Sequence, residues 1–145
     1  MQVKNDFGKG FYMTPNWNRA WEMGKRRKNI LQSGEITVNA FNFSLKEAKA
    51  AGLKIAFSGF TIEWARFIIN NRDNEFFSHN YDIVIGPVAD AILDQEIYRH
   101  KMLFGAKYLE DEPLKAFIGK VSQFGSSYIQ YCFCTQNALG QLKKL

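Results

Sequence analysis

The stretch Asp6-Phe-Gly-Lys-Gly-Phe-Tyr-Met-Thr14 fixes how this chain begins to fold. Glycine adopts the tight and left-handed conformations that turns require. The aromatic residues that follow it are enriched in strands. The stretch therefore predicts a glycine-bearing turn that leads into a short strand.

The residues that follow the turn alternate helix and strand signals. Asn16 is a good N-cap for a helix that extends to about Asn29, and Gln32-Ser-Gly34 predicts its end. Residues 35–44 alternate apolar with polar side chains, which predicts a half-buried strand. Ser44 then predicts the start of a short helix that ends at Gly52.

Six further elements are expected beyond that helix, and a closing helix ends the chain. A strand is predicted over residues 53–58, and a helix that begins at the N-cap Thr61 is predicted to extend to about Asn71. A buried strand is predicted from Asp82 to Pro87, and helices are predicted near residues 88–104 and 113–120. The last strand is predicted from Tyr128 to Thr135. Thr135 then caps a helix with one apolar face formed by Ala138, Leu139, Leu142 and Leu145. Because continuous βα alternation is missing, the fold class is α+β.

Composition limits the class of protein. The 145 residues suffice for one domain, 1–145, and 46% hydrophobic residues are enough for a core. No signal peptide or apolar run of about 20 residues is apparent, so a cytoplasmic location without membrane contact is expected. The net charge of +5 is concentrated at two predicted helix ends, in Lys25, Arg26, Arg27, Lys28, Lys143 and Lys144. Helix dipoles favour cations there, so charge alone does not favour a nucleic-acid partner.

The two cysteines and the two histidines give no metal pattern. Cys132 and Cys134 lie two residues apart in a predicted strand, where their sulfurs are expected to diverge, and no histidine is near them in sequence. We expect two small buried apolar residues and no metal site. His79 is expected in a loop.

Several other residues are predicted to be structural. Trp64 shares an apolar helix face and is expected in the core. Asp82 and Asp90 flank a buried strand and are expected to hydrogen-bond loops. Glu110-Asp-Glu112 precedes Pro113 and predicts a solvated loop. Gly8-Lys9-Gly10 is not a P-loop, because its lysine is not followed by Ser or Thr.

Four blocks, taken together and in order, resemble one bacterial domain family of the ADP-ribosyltransferase superfamily. The blocks are Asp6–Tyr12, Glu63–Arg72, His79–Asp90, and Gln130–Thr135 with Ala138-Leu139. The resemblance runs from Asp6 to Leu142. It implies a split pair of small antiparallel sheets surrounded by helices, with NAD held as substrate in the cleft between the sheets.

The resemblance also implies roles for individual residues. Tyr12 would stack on the nicotinamide ring, and Gln130 would take the strand position at which active transferases carry a catalytic Glu that binds ribose. These two are the predicted catalytic residues. The predicted cofactor-binding residues are Gly8, Lys9, Gly10, Phe11, Tyr12 and Thr14. The implied function is transfer of ADP-ribose to a protein or nucleic-acid target, and the alternative is a non-catalytic interaction domain that retains the fold.

Two departures from the superfamily pattern predict low activity. A first catalytic segment with His or Arg should precede the glycine turn, but only five residues stand before Asp6, and both histidines, His79 and His100, lie downstream. We therefore expect a domain truncated at its N-terminus. In addition, the neutral amide of Gln130 stabilises a developing positive charge less well than a carboxylate does.

Overall fold

The computed structural model describes residues 7–31, 34–57, 59–74, 77–87, 93–124 and 129–145. In chain order the elements are β1 (Phe11–Met13), α1 (Trp17–Leu31), β2 (Phe41–Asn42), α2 (Leu45–Ala50), β3 (Ile55–Phe57), α3 (Ile62–Asp73), β4 (Ile83–Pro87), α4 (Leu93–Phe104), α5 (Asp111–Phe124), β5 (Ile129–Phe133), α6 (Gln136–Leu139) and β6 (Lys143–Lys144). A 3-10 turn, Gly105–Lys107, joins α4 to α5. The mixture of helices and small sheets confirms the α+β class.

The strands form two sheets. The larger has the order β1-β5-β4-β3, and the smaller pairs β2 with β6. All pairs are antiparallel except β3 with β4, which run parallel. That pair differs from the antiparallel sheets expected, because α3 crosses over between β3 and β4 and returns the chain in the same direction.

The larger sheet separates two hydrophobic cores. One face packs against α3, α4 and α5, with Val84 and Cys132 of the sheet in contact with buried helix residues such as Trp64. The opposite face packs Ile83 and Phe133 against the shorter elements near α2 and α6. Alternate residues of β4 and β5 thus enter opposite cores, as the period of a strand requires.

The predicted helix caps are confirmed. Asn16 accepts a hydrogen bond from the backbone of Arg19. Ser44, Thr61 and Thr135 each accept one from the residue three positions later. These side chains satisfy N–H groups that have no partner within the helix.

Three local predictions were wrong. Only Phe41–Asn42 of the strand predicted over residues 35–44 is a strand. The closing helix stops at Leu139, and Lys143–Lys144 form β6, because pairing with β2 replaces further helical bonds. The acidic run before Pro113 is not wholly a loop, since Asp111 begins α5.

Some expectations fall outside the described residues, among them those for Asp6, Asp90, Tyr128, residues 32–33 and the start of the helix predicted near residue 88. Within the described residues, no helix is long and apolar enough to cross a membrane.

Candidate functional site

The glycine turn before β1 is held by the side chain of the first predicted catalytic residue. The Tyr12 hydroxyl donates a hydrogen bond to the Gly8 carbonyl and accepts one of 3.1 Å from the Phe7 backbone N–H. Phe7 is only 1% exposed, and its ring stacks with that of Tyr12 at a centroid distance of 6.4 Å. Tyr12 therefore closes its own turn, and its ring is fixed in orientation.

The register of the sheet brings Tyr12 and Gln130 to the same face. Tyr12 lies opposite Cys132 in the antiparallel β1–β5 pair, and Gln130 is two residues before Cys132 on β5. Opposed residues and residues two apart share a face of a sheet. On the other side of β5, Gln130 lies opposite Gly86, which places no side chain beside it.

The remaining predicted cofactor residues do not all join that face. Phe11 alternates to the other side of β1, where its ring makes an edge contact with Phe41 at 6.0 Å. The Thr14 hydroxyl accepts a hydrogen bond from the Asn16 backbone. Thr14 lines a shallow groove of about 280 Å³ with residues of the opposite face, including Tyr131. Lys9 is exposed at the tip of the turn.

The glycines of the turn lie against the two cysteines and His79. A Cβ atom on Gly10 would stand 2.5 Å from Cys132 Sγ and 2.8 Å from the Phe133 carbonyl oxygen. Gly8 has a φ of +85°, and a Cβ atom there would lie 3.4 Å from His79 Nε2. Glycine is thus required at Gly10 by close approach and at Gly8 by backbone conformation.

The sulfurs of the cysteine pair converge rather than diverge. Cys132 Sγ and Cys134 Sγ are 3.4 Å apart and are not bonded. The divergence expected from the strand pattern was wrong. Cys134 follows the last residue of β5 and continues its register, because its backbone N–H bonds the carbonyl of Asp82, and both cysteine side chains pack against the same core. Cys132 is buried, whereas Cys134 is partly exposed.

His79 lies beside this pair, in the loop in which it was expected. Its Nδ1 accepts a hydrogen bond of 3.1 Å from the Tyr81 backbone N–H, so Nε2 carries the ring hydrogen. Nε2 donates to the Phe7 carbonyl at 2.9 Å. The Cys134 side chain acts on His79 as well and raises the pKa of the imidazole. The imidazole therefore lies between the glycine turn and the partly exposed Cys134.

These contacts shift the ionisation of the thiols in opposite directions. The hydrogen bond from Cys132, and after it the contact with His79, lower the pKa of Cys134 to about 6, against the opposing effects of burial and of Asp82. Hydrogen bonding to Cys134, followed by burial, raises the pKa of Cys132. The pKa of His79 is raised chiefly by Cys134, although the Tyr81 N–H favours the neutral ring. Cys134 is thus the more acidic thiol of the pair, and Cys132 is the less acidic one.

Asp82 hydrogen-bonds the residues that adjoin β3 and β5 next to the cysteine pair. Its carboxylate accepts bonds from the Lys54 backbone at 2.8 Å and from the Thr135 hydroxyl at 2.7 Å. These bonds, that from Lys54 first, lower its pKa. The expected loop role of Asp82 is confirmed.

A cleft lies next to the turn, on the face that carries Tyr12. It measures about 410 Å³ and is lined by residues that include Phe7, Ala56, Thr61 and Val84. Trp64 forms part of its wall but is 2% exposed and donates from Nε1 to the Pro87 carbonyl, so its expected place in the core is confirmed. In the described ranges, no group of three or more His, Cys, Asp or Glu side chains is placed to hold a metal ion.

Sequence reasoning missed the cluster formed by Cys132, Cys134 and His79. Two local signals were available. Cys132 and Cys134 are two residues apart on a predicted strand, and Asp82, beside which that strand ends, is three residues after His79. The histidine and the cysteines were interpreted separately, because His79 and Cys132 are 53 positions apart in the sequence. Pairing of β4 with β5 brings the two segments together.

Comparison with known proteins places the chain in one family. No curated protein and no solved structure matches it. The model of the family described as a protein of unknown function, DUF3990, matches residues 1–144, which is nearly the whole chain. The chain therefore belongs to the DUF3990 family.

Proposed function

We propose that this chain is an ADP-ribosyltransferase-like domain that binds NAD beside Tyr12 and Gln130, which are both partly exposed near the β1 edge of the sheet face that the helices otherwise cover. In this proposal the two small sheets correspond to the split sheets of that superfamily. NAD is the substrate, and a protein or a nucleic acid accepts the ADP-ribose.

The observation that carries the proposal is the β1–β5 register. Tyr12 and Gln130 are 118 positions apart in sequence, yet they share one sheet face on adjacent strands. Diagonal neighbours of this kind have side chains about 7–8 Å apart at their bases. A nicotinamide riboside that stacks on the tyrosine ring would extend far enough to place its ribose beside the amide.

The surroundings of both residues suit this role. The hydroxyl of Tyr12 is engaged with the Phe7 and Gly8 backbone, so the ring is held in place before a ligand arrives. Such preorganisation reduces the entropy lost on binding. Gly86, which lies opposite Gln130 on β4, places no side chain beside the amide.

The chemistry of Gln130 predicts slow transfer. Its amide can bond a ribose hydroxyl, but it carries no charge to stabilise the cation that develops as nicotinamide leaves. Preorganised charge is usually the largest single contribution to such a reaction. We therefore expect NAD binding with little nicotinamide release from the native chain.

Binding is tested by calorimetry with NAD. Tyr12→Leu removes the ring and should weaken binding about tenfold, the loss expected for one aromatic stack of about 1–1.5 kcal/mol. Tyr12→Phe keeps the ring and tests the hydroxyl separately. Phe11→Leu, on the opposite face of the same strand, is the matched control and should leave affinity unchanged. Equal losses for Phe11→Leu and Tyr12→Leu, or no heat with millimolar NAD, would overturn the proposal.

Chemistry is tested by nicotinamide release from NAD. Gln130→Glu should raise the rate, because the carboxylate stabilises the developing cation, and each 1.36 kcal/mol is worth tenfold. Gln130→Ala should remove what activity the native chain has. Rates for all three proteins equal to the buffer rate would reject the transferase and leave a binding domain.

A second candidate is a non-catalytic interaction domain. It is favoured by α4, whose Tyr98, Met102 and Leu103 are 66%, 70% and 75% exposed. Apolar groups clustered on one helix are typical of contact surfaces. If the chain is such an interaction domain, NAD should bind neither the native protein nor any of the variants. Met102→Lys should leave the protein folded, because the Met102 side chain is exposed.

A further inference from the structure

The cluster at the end of β5 carries chemistry that the proposed function does not use. Two sulfurs stand 3.4 Å apart, one of them in a partly exposed residue, and the imidazole of His79 is near enough to that residue for each to shift the pKa of the other. The residues of the cluster come from the loop before β4 and from the end of β5, and the glycine turn before β1 lies against them. The fold therefore assembles the cluster from two separate segments.

We propose that Cys134 is a nucleophilic thiolate that reacts with small-molecule disulfides, and that Cys132 resolves the product as an intramolecular disulfide. The arrangement supports separate roles for the two residues. Cys134 is accessible to a small molecule, whereas Cys132 is buried beneath the glycine turn, with its sulfur 4.0 Å from the Lys9 carbonyl oxygen. Only the exposed sulfur can meet the first reactant, and the buried one is in contact with it.

The groups around Cys134 define its charge state. Cys132 and His79 stabilise the thiolate by hydrogen bonding, whereas the nearby Asp82 and partial burial oppose it. The balance lowers the pKa of Cys134. A thiolate, and not a thiol, is the species that attacks a disulfide.

The reaction balances in two steps. The Cys134 thiolate attacks one sulfur of the small disulfide, forms a mixed disulfide and expels one small thiolate. Cys132 then gives up its proton and attacks Cys134 Sγ, which forms the Cys132–Cys134 bond and expels the second small thiolate. The proton ends on a departing thiolate. Two protein thiols are oxidised, and one small disulfide is reduced to two thiols.

Strand geometry makes the product a reversible bond. Residues two apart on an extended strand have Cα atoms about 6.6–6.8 Å apart, at the upper limit for a disulfide. Disulfides whose Cα atoms are this far apart are strained and more easily reduced. We infer a labile disulfide rather than a structural one, closed by exchange with small disulfides and opened by exchange with small thiols.

The test uses the whole chain with dipyridyl disulfide, whose released thiopyridone is measured by absorbance. The native protein should release two equivalents and finish with an internal disulfide and no attached pyridyl group by intact mass. Cys132→Ser, which retains a hydroxyl donor for the thiolate, should release one equivalent and keep the mixed disulfide. Cys134→Ser should react slowly until it is denatured.

The rate at pH 6 sharpens the test. With a pKa of about 6, Cys134 is about half ionised at that pH, whereas an ordinary thiol is ionised to about 0.3%. After the lower intrinsic nucleophilicity of the more acidic thiolate is included, Cys132→Ser should react about tenfold faster than a single-cysteine peptide. His79→Ala should reduce this advantage, and His79→Gln, which keeps a donor, should retain more of it.

Three results would overturn the proposal: a retained adduct on the native protein, equal rates for Cys132→Ser and Cys134→Ser, or no reaction before denaturation. Circular dichroism checks that each variant is folded. If Cys134→Ser does not fold, the native protein is treated with substoichiometric iodoacetamide and the labelled cysteine is identified by peptide fragmentation. Labelling mainly at Cys134 supports the proposal, and labelling mainly at Cys132 contradicts it.

Discussion

The two histidines lie in regions that use the same side chain differently. His79 and His100 each direct Nε2 at a backbone carbonyl, of Phe7 at 2.9 Å and of Tyr108 at 2.6 Å. His100 is 5% exposed on α4, and His79 lies partly exposed beside a thiol. One region is a packed helix interface, and the other is a cluster of two thiols and an imidazole.

The ring neighbours of the two histidines explain the contrast. His100 packs against Phe104 at 5.0 Å and Phe117 at 5.2 Å, so it fills space between α4 and α5. His79 contacts Phe67 at 5.1 Å on one side and the Cys134 thiol on another. The comparison teaches that neighbours, and not residue type, decide whether a histidine serves packing or chemistry.

The largest expected effect comes from removal of the packed histidine. His100→Ala should lower the free energy of unfolding by about 2–4 kcal/mol, because it leaves a cavity and an unbonded Tyr108 carbonyl. Its folded form should keep the reactivity of the cysteines. His79→Ala should cost only about 1 kcal/mol but slow the reaction of Cys134.

Urea unfolding and thiol kinetics on both variants measure these two effects. The comparison fails if His100→Ala slows thiol reaction as much as His79→Ala does. It also fails if His79→Ala is the more destabilising of the two, since that would make the cluster the better-packed region.

A second prediction concerns the glycine that lies against Cys132. Gly10→Ala should cost about 1–3 kcal/mol, because the new methyl group meets both a sulfur and the Phe133 carbonyl oxygen, and the backbone oxygen cannot move aside cheaply. Gly119→Ala is the matched control in the helical region. Gly119 lies within α5 with nothing within 4 Å of its added Cβ, so alanine there should stabilise by up to about 1 kcal/mol.

Thermal or urea unfolding of the two glycine variants gives the answer directly. Opposite signs are expected. A neutral Gly10→Ala would mean that the turn stands further from Cys132 than the structure places it, which would also weaken the case for the cluster.

The smallest expected effect is a pH dependence of stability that belongs to the cluster alone. The pKa of Cys134 is lowered to about 6 in the folded chain, against about 8.5 for an unfolded thiol. A depressed pKa gives stability that is complete above pH 8.5 and lost as pH falls through 6. The raised pKa of His79 acts in the opposite direction, since its contribution is complete below pH 6.5 and lost as pH rises.

A His79→Gln background removes the opposing contribution, while Cys132, the main cause of the shift in Cys134, remains. Between pH 6 and pH 8.5, the free energy of unfolding of the His79→Gln variant should rise by on the order of 1 kcal/mol more than that of the double variant that also carries Cys134→Ser. Urea unfolding across this range measures the difference. A flat difference would show that Cys134 ionises as an ordinary thiol.

Much of the fold was predictable because its signals are local. Ser44, Thr61 and Thr135 cap helices whatever surrounds them, since the hydrogen bond spans three residues. The buried strand ending at Gly86-Pro87 was equally clear from its composition. The strand predicted over residues 35–44 failed because alternation alone does not supply a partner, and β6 offers one only to Phe41–Asn42.

The candidate sites divide in the same way. The sequence by itself determined the capped helices, the glycine turn and the presence of a tyrosine, a glutamine and a cysteine on strands, since each depends on neighbouring residues. Only the tertiary structure decided that Tyr12 closes the turn, that Gln130 shares its face, and that His79 meets Cys134. These contacts depend on the register of β1, β4 and β5, and a shift of one residue would turn every side chain to the other face.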